Sequence, residues 1–325
     1  SIFEADVPVS PSAARVYQKD EKTIKPGETI SFNLPKIGLD GTNNARLHLA
    51  VFPNMDFLHR LDWLIRYPYG CIEQTTSSVF PQLALKSLFA NIEKRLSEID
   101  QNINAGIDRL RMFQLSNGGF SYWPGGSQAS AWGSNYAGQF LIEARHQGYV
   151  VPDIMYDGII KYLERESRNS SRDAKDLMTR VNRCFILALA KKAPISEMNL
   201  LKQNEYTQLS NVQKWQLVTA YKLAGAYDKV ESLVEGISKE VDEYSEFGHT
   251  YGSRYRDLGI ILRCLTILEK ADDASLMAKH IAEVLSGSYW YSTQTVGQML
   301  LGIGNYFKYA GISAADDLLL EGTIT

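Results

Sequence analysis

A cysteine and a glutamine that can react with each other lie three residues apart in the segment Tyr67-Pro-Tyr-Gly-Cys-Ile-Glu-Gln. The Cys71 sulfur and the Gln74 carboxamide can condense to an internal thioester with release of ammonia. Residues i and i+3 face each other at the start of a helix, so one turn of backbone can close the ring. Gly70 relieves the steric constraint before the cysteine, and Glu73, between the two partners, is a candidate to assist proton transfer.

A thioester is an activated acyl group, so the site requires protection from water. Aromatic side chains concentrate in the segments around residues 67–71, 118–132, 249–253 and 289–293. The candidates for a hydrophobic shield, each of which could equally serve packing alone, are Tyr67, Tyr69, Tyr122, Trp123, Tyr251, Trp290 and Tyr291.

The elements that position these residues are predicted to be mainly helical. Six long helices rich in apolar and small residues are expected near 75–90, 130–147, 174–192, 210–225, 253–269 and 292–310. More amphipathic helices, such as 93–113, 152–167 and 273–286, separate them. This alternation predicts an α/α toroid of six helical hairpins, in which every loop that feeds an inner helix lies on one face.

The first 53 residues differ, because they alternate between apolar and polar positions in the manner of β-strands. We therefore expect a partial β-sandwich segment at 1–53 and the toroid at 54–325. The N-terminus carries no signal-peptide pattern, and the chain is expected to be a piece of a longer protein.

The composition is that of an ordinary globular protein, with 45% apolar and 22% charged residues. A net charge of −3 predicts no bulk attraction to nucleic acid or to anionic lipid. No apolar run is long enough for a membrane span. Three cysteines form no metal or disulfide pattern, and Cys184 and Cys264 are expected to be core residues. No cofactor or metal is predicted.

The segment around Cys71 resembles the Cys-x-Glu-Gln motif of the alpha-2-macroglobulin and complement family, and Tyr67-Pro-Tyr-Gly resembles its bacterial branch. Segments 118–125, 251–257 and 292–297 are similar to the thioester domain of that family. The resemblance implies an α/α toroid inserted into a CUB-like β-sandwich. It also implies a broad-spectrum protease inhibitor, in which cleavage of a bait region elsewhere exposes the thioester and a protease amine attacks Gln74. Such a trap acts once, so no enzyme is expected.

The resemblance further implies a periplasmic or surface-exposed bacterial protein that defends against foreign proteases, and it is compatible with a lipid anchor upstream. Some relatives relay the acyl group through a histidine. Of the five histidines, only His249 lies in a rim loop, so it is the single candidate for the relay. The alternative interpretation is that His249 is a partly exposed loop residue without a chemical role. The usual Trp-x-Thr-Ala-Tyr of the family is replaced by Trp132-Gly-Ser-Asn-Tyr here.

Three other functions compete with a thioester trap as explanations of the sequence. A terpene cyclase or glycoside hydrolase on the same fold would need acidic residues facing the cavity, and the rim loops are poor in them. A cysteine peptidase with Cys71 as nucleophile and His249 as base does not explain Gln74. A scaffold that had lost its thioester would be expected to have lost Cys71 or Gln74.

Overall fold

The computed structural model describes residues 18, 20, 22, 27–38, 40, 41 and 43, followed by 58–64, 70–86, 93–169 and 176–312. The chain forms two compact units, Ser1–Ala50 and Val51–Thr325. All twelve α-helices of the described residues lie in the second unit.

Six of these helices form a closed inner ring, in which each contacts the next and the last contacts the first. They are α2 (Ile72–Leu85), α4 (Ala131–His146), α6 (Leu177–Leu189), α8 (Asn211–Leu223), α10 (Arg254–Ile267) and α12 (Thr293–Ala310). Their small and apolar residues are buried on almost every side; α12, for example, buries an unbroken run from Gln294 to Gly304. The predicted α/α toroid is therefore confirmed.

The outer layer consists of helices that each pack on one or two inner helices. They are α1 (Leu58–Leu64), α3 (Glu93–Leu110), α5 (Asp153–Arg168), α7 (Ile195–Leu200), α9 (Tyr227–Val234) and α11 (Ala271–Ser286). These helices are amphipathic, as α3 shows by burying Ile99, Ile103 and Ile107 on one face. A π-helical turn (Leu201–Glu205) and a 3-10 turn (Tyr206–Gln208) follow α7.

Glycines allow α12 to approach its neighbours closely. A Cβ on Gly302 would lie 2.6 Å from the carbonyl oxygen of Gly259 on α10, and a Cβ on Gly304 would lie 2.7 Å from the backbone of Ala84 on α2. Both distances are shorter than any ordinary carbon contact, so the ring closes at α12 only because these positions have no side chain.

The other two cysteines lie inside the ring. Cys184 on α6 and Cys264 on α10 are 0% and 1% exposed, which confirms their prediction as core residues. Burial raises the pKa of the Cys264 thiol to about 11. In the described ranges, no helix has the length and hydrophobicity that crossing a membrane requires.

The N-terminal unit shows turns and extended backbone in its described residues. Asn43 accepts hydrogen bonds from the backbone N–H groups of Ile37 and Gly38, both at 3.2 Å, and so organises the turn between them. Residues 29–34, where the alternation of apolar and polar residues predicts one of the strands, have no strand pairing in the structure. The other stretches with this alternation, 14–17 and 45–52, lie outside the described residues. The CUB-like β-sandwich segment therefore stays a prediction.

Candidate functional site

Cys71 is the N-cap of α2, and Gln74 occupies the third position of that helix. Cys71 has extended backbone (φ −74°, ψ 174°), which turns its side chain back over the first helical turn. The cysteine sulfur accepts from the backbone N–H of Gln74, and the Gln74 side-chain oxygen accepts from the backbone N–H of Cys71 at 3.3 Å. These reciprocal bonds form a capping box in which the thiol and the carboxamide lie side by side.

The preceding glycine makes room for this arrangement. Gly70 has φ +95°, a conformation that side chains rarely adopt. A Cβ at this position would overlap the Gln74 side-chain oxygen and lie 3.0 Å from its Cδ. Gln74 can fold back over Cys71 because residue 70 is a glycine.

The two reactive groups differ in their access to solvent. Cys71 is 3% exposed, whereas Gln74 is exposed. The sulfur thus faces the protein interior, while the carboxamide can be approached from outside the domain.

The loop before α4 covers the sulfur. The carbonyl oxygen of Tyr122 accepts from the backbone N–H of Ile72 at 3.0 Å, which fixes the loop to the first turn of α2. The Tyr122 hydroxyl is hydrogen-bonded to the Tyr251 hydroxyl. Burial, followed by interactions with the Cys71 and Tyr251 side chains, raises the pKa of Tyr122, which therefore stays protonated.

Tyr251 reaches this point from the loop before α10. Its backbone has φ +52°, uncommon for a residue with a side chain. Its ring packs against Trp132 with centroids 5.7 Å apart, and Trp132 stacks on Tyr136 at 5.4 Å. Gln294, with its amide oriented so that the nitrogen faces the loop, donates to the carbonyl oxygen of Tyr251 at 3.1 Å. Side chains from four of the predicted rim loops and the helices they feed thus meet around Cys71.

Glu73 points to the interface between α2 and α12. Its carboxylate accepts from the hydroxyls of Ser77 at 2.7 Å and Thr293 at 3.0 Å, and Ser77 also bonds the Tyr136 hydroxyl at 3.1 Å. Burial raises the pKa of Glu73, and the hydrogen bonds from Ser77 and Thr293 act in the opposite direction.

The remaining predicted residues lie in varied surroundings. Tyr67 and Tyr69 lie outside the described residues. Trp123 is 57% exposed and packs edge-on against Tyr122 at 5.6 Å, and Trp290 is 70% exposed. Tyr291 packs against Tyr255 and Tyr289, and His249 is exposed with φ +54°.

Sequence reasoning did not assign site roles to Trp132, Tyr136, Ser77 or Thr293. Thr293 falls within a segment that carries the family resemblance, whereas Trp132 and Tyr136 lie where the sequence departs from the family pattern but keeps its aromatic spacing. The pairing of Thr293 with Glu73 joins residues 220 positions apart, which no local pattern reveals.

The sequence matches the family profile described as "A-macroglobulin TED domain" over residues 50–171, a stretch that contains Cys71 and Gln74. The toroid and this match make the chain similar to the TED domains of macroglobulins. It is 29% identical over 306 residues to the alpha-2-macroglobulin of Escherichia coli, covering 86% of this chain and 18% of that protein. The chain is therefore similar to the bacterial alpha-2-macroglobulins and spans about a fifth of that relative's length.

Two solved structures have the same fold. Salmonella alpha-2-macroglobulin reacted with methylamine superposes with a TM-score of 0.65 and 27% identity, covering 77% of this chain and 17% of that one. Escherichia coli alpha-2-macroglobulin activated by porcine elastase superposes with a TM-score of 0.61 and 26% identity, covering 74% of this chain and 23% of that one.

Proposed function

We propose that Cys71 and Gln74 condense to an internal thioester, and that the parent protein uses it to trap proteases covalently. The observation that carries this proposal is the fold of Gln74 over the N-cap of α2, which sets its carboxamide beside the Cys71 sulfur. Nothing is regenerated after one capture, so the protein is an inhibitor rather than an enzyme.

The geometry supports a simple route to the bond. The Cys71 sulfur attacks Cδ of Gln74, the amide nitrogen takes up the thiol proton, and ammonia leaves. During this step negative charge develops on the Gln74 oxygen, which already accepts from the Cys71 backbone N–H. That N–H, at the amino end of a helix, acts as a ready-made oxyanion donor.

When the thioester opens, the Cys71 sulfur is the leaving group instead of the nucleophile, and the Gln74 carbonyl carbon is again the atom attacked. A protease amine attacks the Gln74 carbonyl carbon, an amide forms, and the Cys71 sulfur leaves as a thiolate. The Salmonella relative reacted with methylamine supports amine attack, and the relative activated by elastase supports proteases as partners. Exposed His249 has no bonded contact in the described structure that would hold it for acyl relay, which favours amines as the targets.

The proposed thioester is protected partly by this domain and partly by other parts of the parent protein. Tyr122 and Tyr251 cover the sulfur side, whereas the exposed Gln74 needs a cover from the remaining shield candidates or from other parts of the parent protein. In this proposal the bait region lies in those other parts. Cleavage removes the cover, in the periplasm or at the cell surface where foreign proteases are met.

The test is the intact mass of freshly purified protein, with and without methylamine. We expect a mass lighter than the sequence by one ammonia, and methylamine should add one equivalent while freeing one thiol. Cys71→Ser should abolish both effects, whereas the matched variant Cys184→Ser in the core should retain them. A wild-type mass equal to the bare sequence, with no uptake of methylamine, would contradict the proposal.

A further inference from the structure

Glu73 lies between Cys71 and Gln74 in the sequence, but its side chain contacts a different inner helix. Resting on the thioester proposed above, we propose that Glu73 is a positioning residue that fixes the first turn of α2 to the start of α12. This contact holds the turn in the geometry that Cys71 and Gln74 need to condense. Glu73 then acts through the placement of its two neighbours and not by transferring a proton.

Both oxygens of the Glu73 carboxyl group accept hydrogen bonds from hydroxyl groups. Oε1 accepts from Ser77, one helical turn further along α2, at 2.7 Å and from Thr293 at 3.0 Å. Oε2 lies 3.1 Å from the same Thr293 hydroxyl. Glu73 is 5% exposed, so loss of the Thr293 hydroxyl would leave a buried oxygen without that partner. A buried acceptor without a donor is costly, and this cost keeps the two helices together at Glu73.

The Thr293 hydroxyl is itself held at a defined place. Thr293 is the first residue of α12 and directly follows the N-cap Ser292. The Ser292 hydroxyl accepts from the backbone N–H of Thr295 at 3.2 Å, which fixes the start of the helix. The Glu73–Thr293 contact therefore joins the first turn of α2 to the first turn of α12.

A third inner helix reaches the same point. The Ser77 hydroxyl, which bonds Glu73, also bonds the Tyr136 hydroxyl of α4 at 3.1 Å. Gly297 of α12 lies against this pair, since a Cβ there would be 3.6 Å from the Cβ of Ser77 and from the Tyr136 hydroxyl. The two neighbours of α2 in the ring, α4 and α12, thus both contact the start of α2 through polar side chains.

Consecutive residues of this turn have separate partners. The backbone N–H of Ile72 donates to the carbonyl oxygen of Tyr122 at 3.0 Å, and Glu73 is held by α12. Gln74 instead folds over Cys71. Successive helical residues point about 100° apart, so the buried Glu73 carboxyl and the exposed Gln74 carboxamide leave the turn in different directions. The turn is fixed on two sides, and the reacting pair occupies a third.

The condensation is complete without a proton from Glu73. The sulfur of Cys71 bonds to Cδ of Gln74, the carbon–nitrogen bond breaks, and ammonia leaves with the thiol proton. The Glu73 oxygens are already occupied by the hydroxyls of Ser77 and Thr293. What Glu73 contributes is a fixed turn, and a reacting pair displaced by about 1 Å can lose about 100-fold in rate.

The experiment measures how fast the thioester forms. The chain is made by cell-free synthesis, translation is stopped, and intact mass follows the loss of one ammonia with time. Thr293→Val removes the hydroxyl but leaves Glu73 and the reacting pair intact, so formation should slow by about tenfold or more. Glu73→Ala should slow it at least as much, and the double variant should be no slower than Glu73→Ala, because both changes break one interaction. Thr293→Ser keeps the hydroxyl and should restore the wild-type rate.

Two matched controls separate positioning from a general loss of packing. Thr219→Val removes a buried hydroxyl of α8 that donates to the Trp215 carbonyl oxygen at 2.7 Å. Gly304→Ala disturbs α2 and α12 beside Ala84, about 16 Å along α2 from Glu73. Both should leave the rate of thioester formation unchanged, whatever their effect on the melting temperature. If valine at position 293 prevents folding, Thr293→Ala removes the hydroxyl without the added methyl group and takes its place.

The outcomes separate this role from its alternatives. A folded Thr293→Val protein that forms the thioester at the wild-type rate would show that the contact does not position the pair. Glu73→Gln retains an oxygen that can accept from Thr293, so a rate as low as that of Glu73→Ala would identify Glu73 as a proton-transfer group instead. In both cases the wild type still loses one ammonia, and the proposed function stands. A wild type that never loses ammonia would overturn the proposed function itself.

Discussion

Gly70→Ala tests whether the fold-back of Gln74 depends on the missing side chain at position 70. Alanine at φ +95° costs about 1–2 kcal/mol of backbone strain. In addition, its Cβ would occupy the position of the Gln74 side-chain oxygen and lie 3.0 Å from Cδ. The strain weakens the domain, whereas the overlap excludes the rotamer that brings the carboxamide to the sulfur.

Gly148→Ala separates these two effects. Gly148 has φ +88°, and a Cβ there would have no atom within 4 Å. Both variants should melt lower by about 2–4 °C for each kcal/mol of strain. The Gly148→Ala protein should still be lighter than its sequence by one ammonia, whereas Gly70→Ala should have the mass of the bare sequence.

Intact-mass spectrometry and thermal melting supply both readouts. Methylamine uptake, measured on the same samples, reports whether any thioester is present. If Gly70→Ala formed the thioester at the wild-type yield, the space beside Gly70 would not be what positions Gln74, and the geometric basis of the proposed function would be refuted.

Three further predictions concern the framework around the site. Burial raises the pKa of Glu73 above its ordinary 4.5, so the stability tied to its protonated form is complete below that pH and falls as pH rises through the folded-state pKa. Glu73→Gln should flatten this fall in urea titrations run from pH 4.5 upward. Arg60 donates to the carbonyl oxygens of residues 285, 287 and 289, and Arg60→Lys should speed hydrogen exchange in 285–291 by about tenfold. Gly304→Ala should lower the free energy of unfolding by about 1–3 kcal/mol in urea, because it overpacks α12 against α2.

Each of these has an outcome that would contradict it. Equal pH dependence of stability in wild type and Glu73→Gln would mean that the carboxyl titrates as it does in the unfolded chain. Unchanged exchange in Arg60→Lys would mean that the loop is held by other contacts. An unchanged unfolding midpoint for Gly304→Ala would mean that the closely packed helices can separate without cost.

The helical fold and the position of Cys71 and Gln74 on one helical turn were predictable, because both depend on patterns among neighbouring residues. The inner helices carry apolar and small residues all round, and Cys71 and Gln74 stand at the spacing of one helical turn. Both signals lie within a few neighbouring residues.

The surroundings of the pair were only partly predictable. Aromatic residues in rim loops indicated a shield, but composition does not show which rings meet. Tyr122 and Tyr251 are hydrogen-bonded to each other next to the first turn of α2, whereas Tyr291 packs against Tyr255. The Thr293 partner of Glu73 was likewise hidden, because α12 is distant from α2 in the sequence although the two helices are neighbours in the ring. Such pairings depend on the closed tertiary structure.

Because α2 packs against α12, the contacts around Cys71 and Glu73 can be completed only after most of the domain has been synthesised. Cys71 and Gln74 emerge from the ribosome early, but Tyr251 and Thr293 follow about 180 and 220 residues later. A thioester formed on the nascent chain would lack both the cover over its sulfur and the contact that anchors Glu73, and water would consume it. Under the proposed function, a lasting thioester therefore forms only after the last inner helix has docked, and the release of ammonia would report that the whole ring has folded.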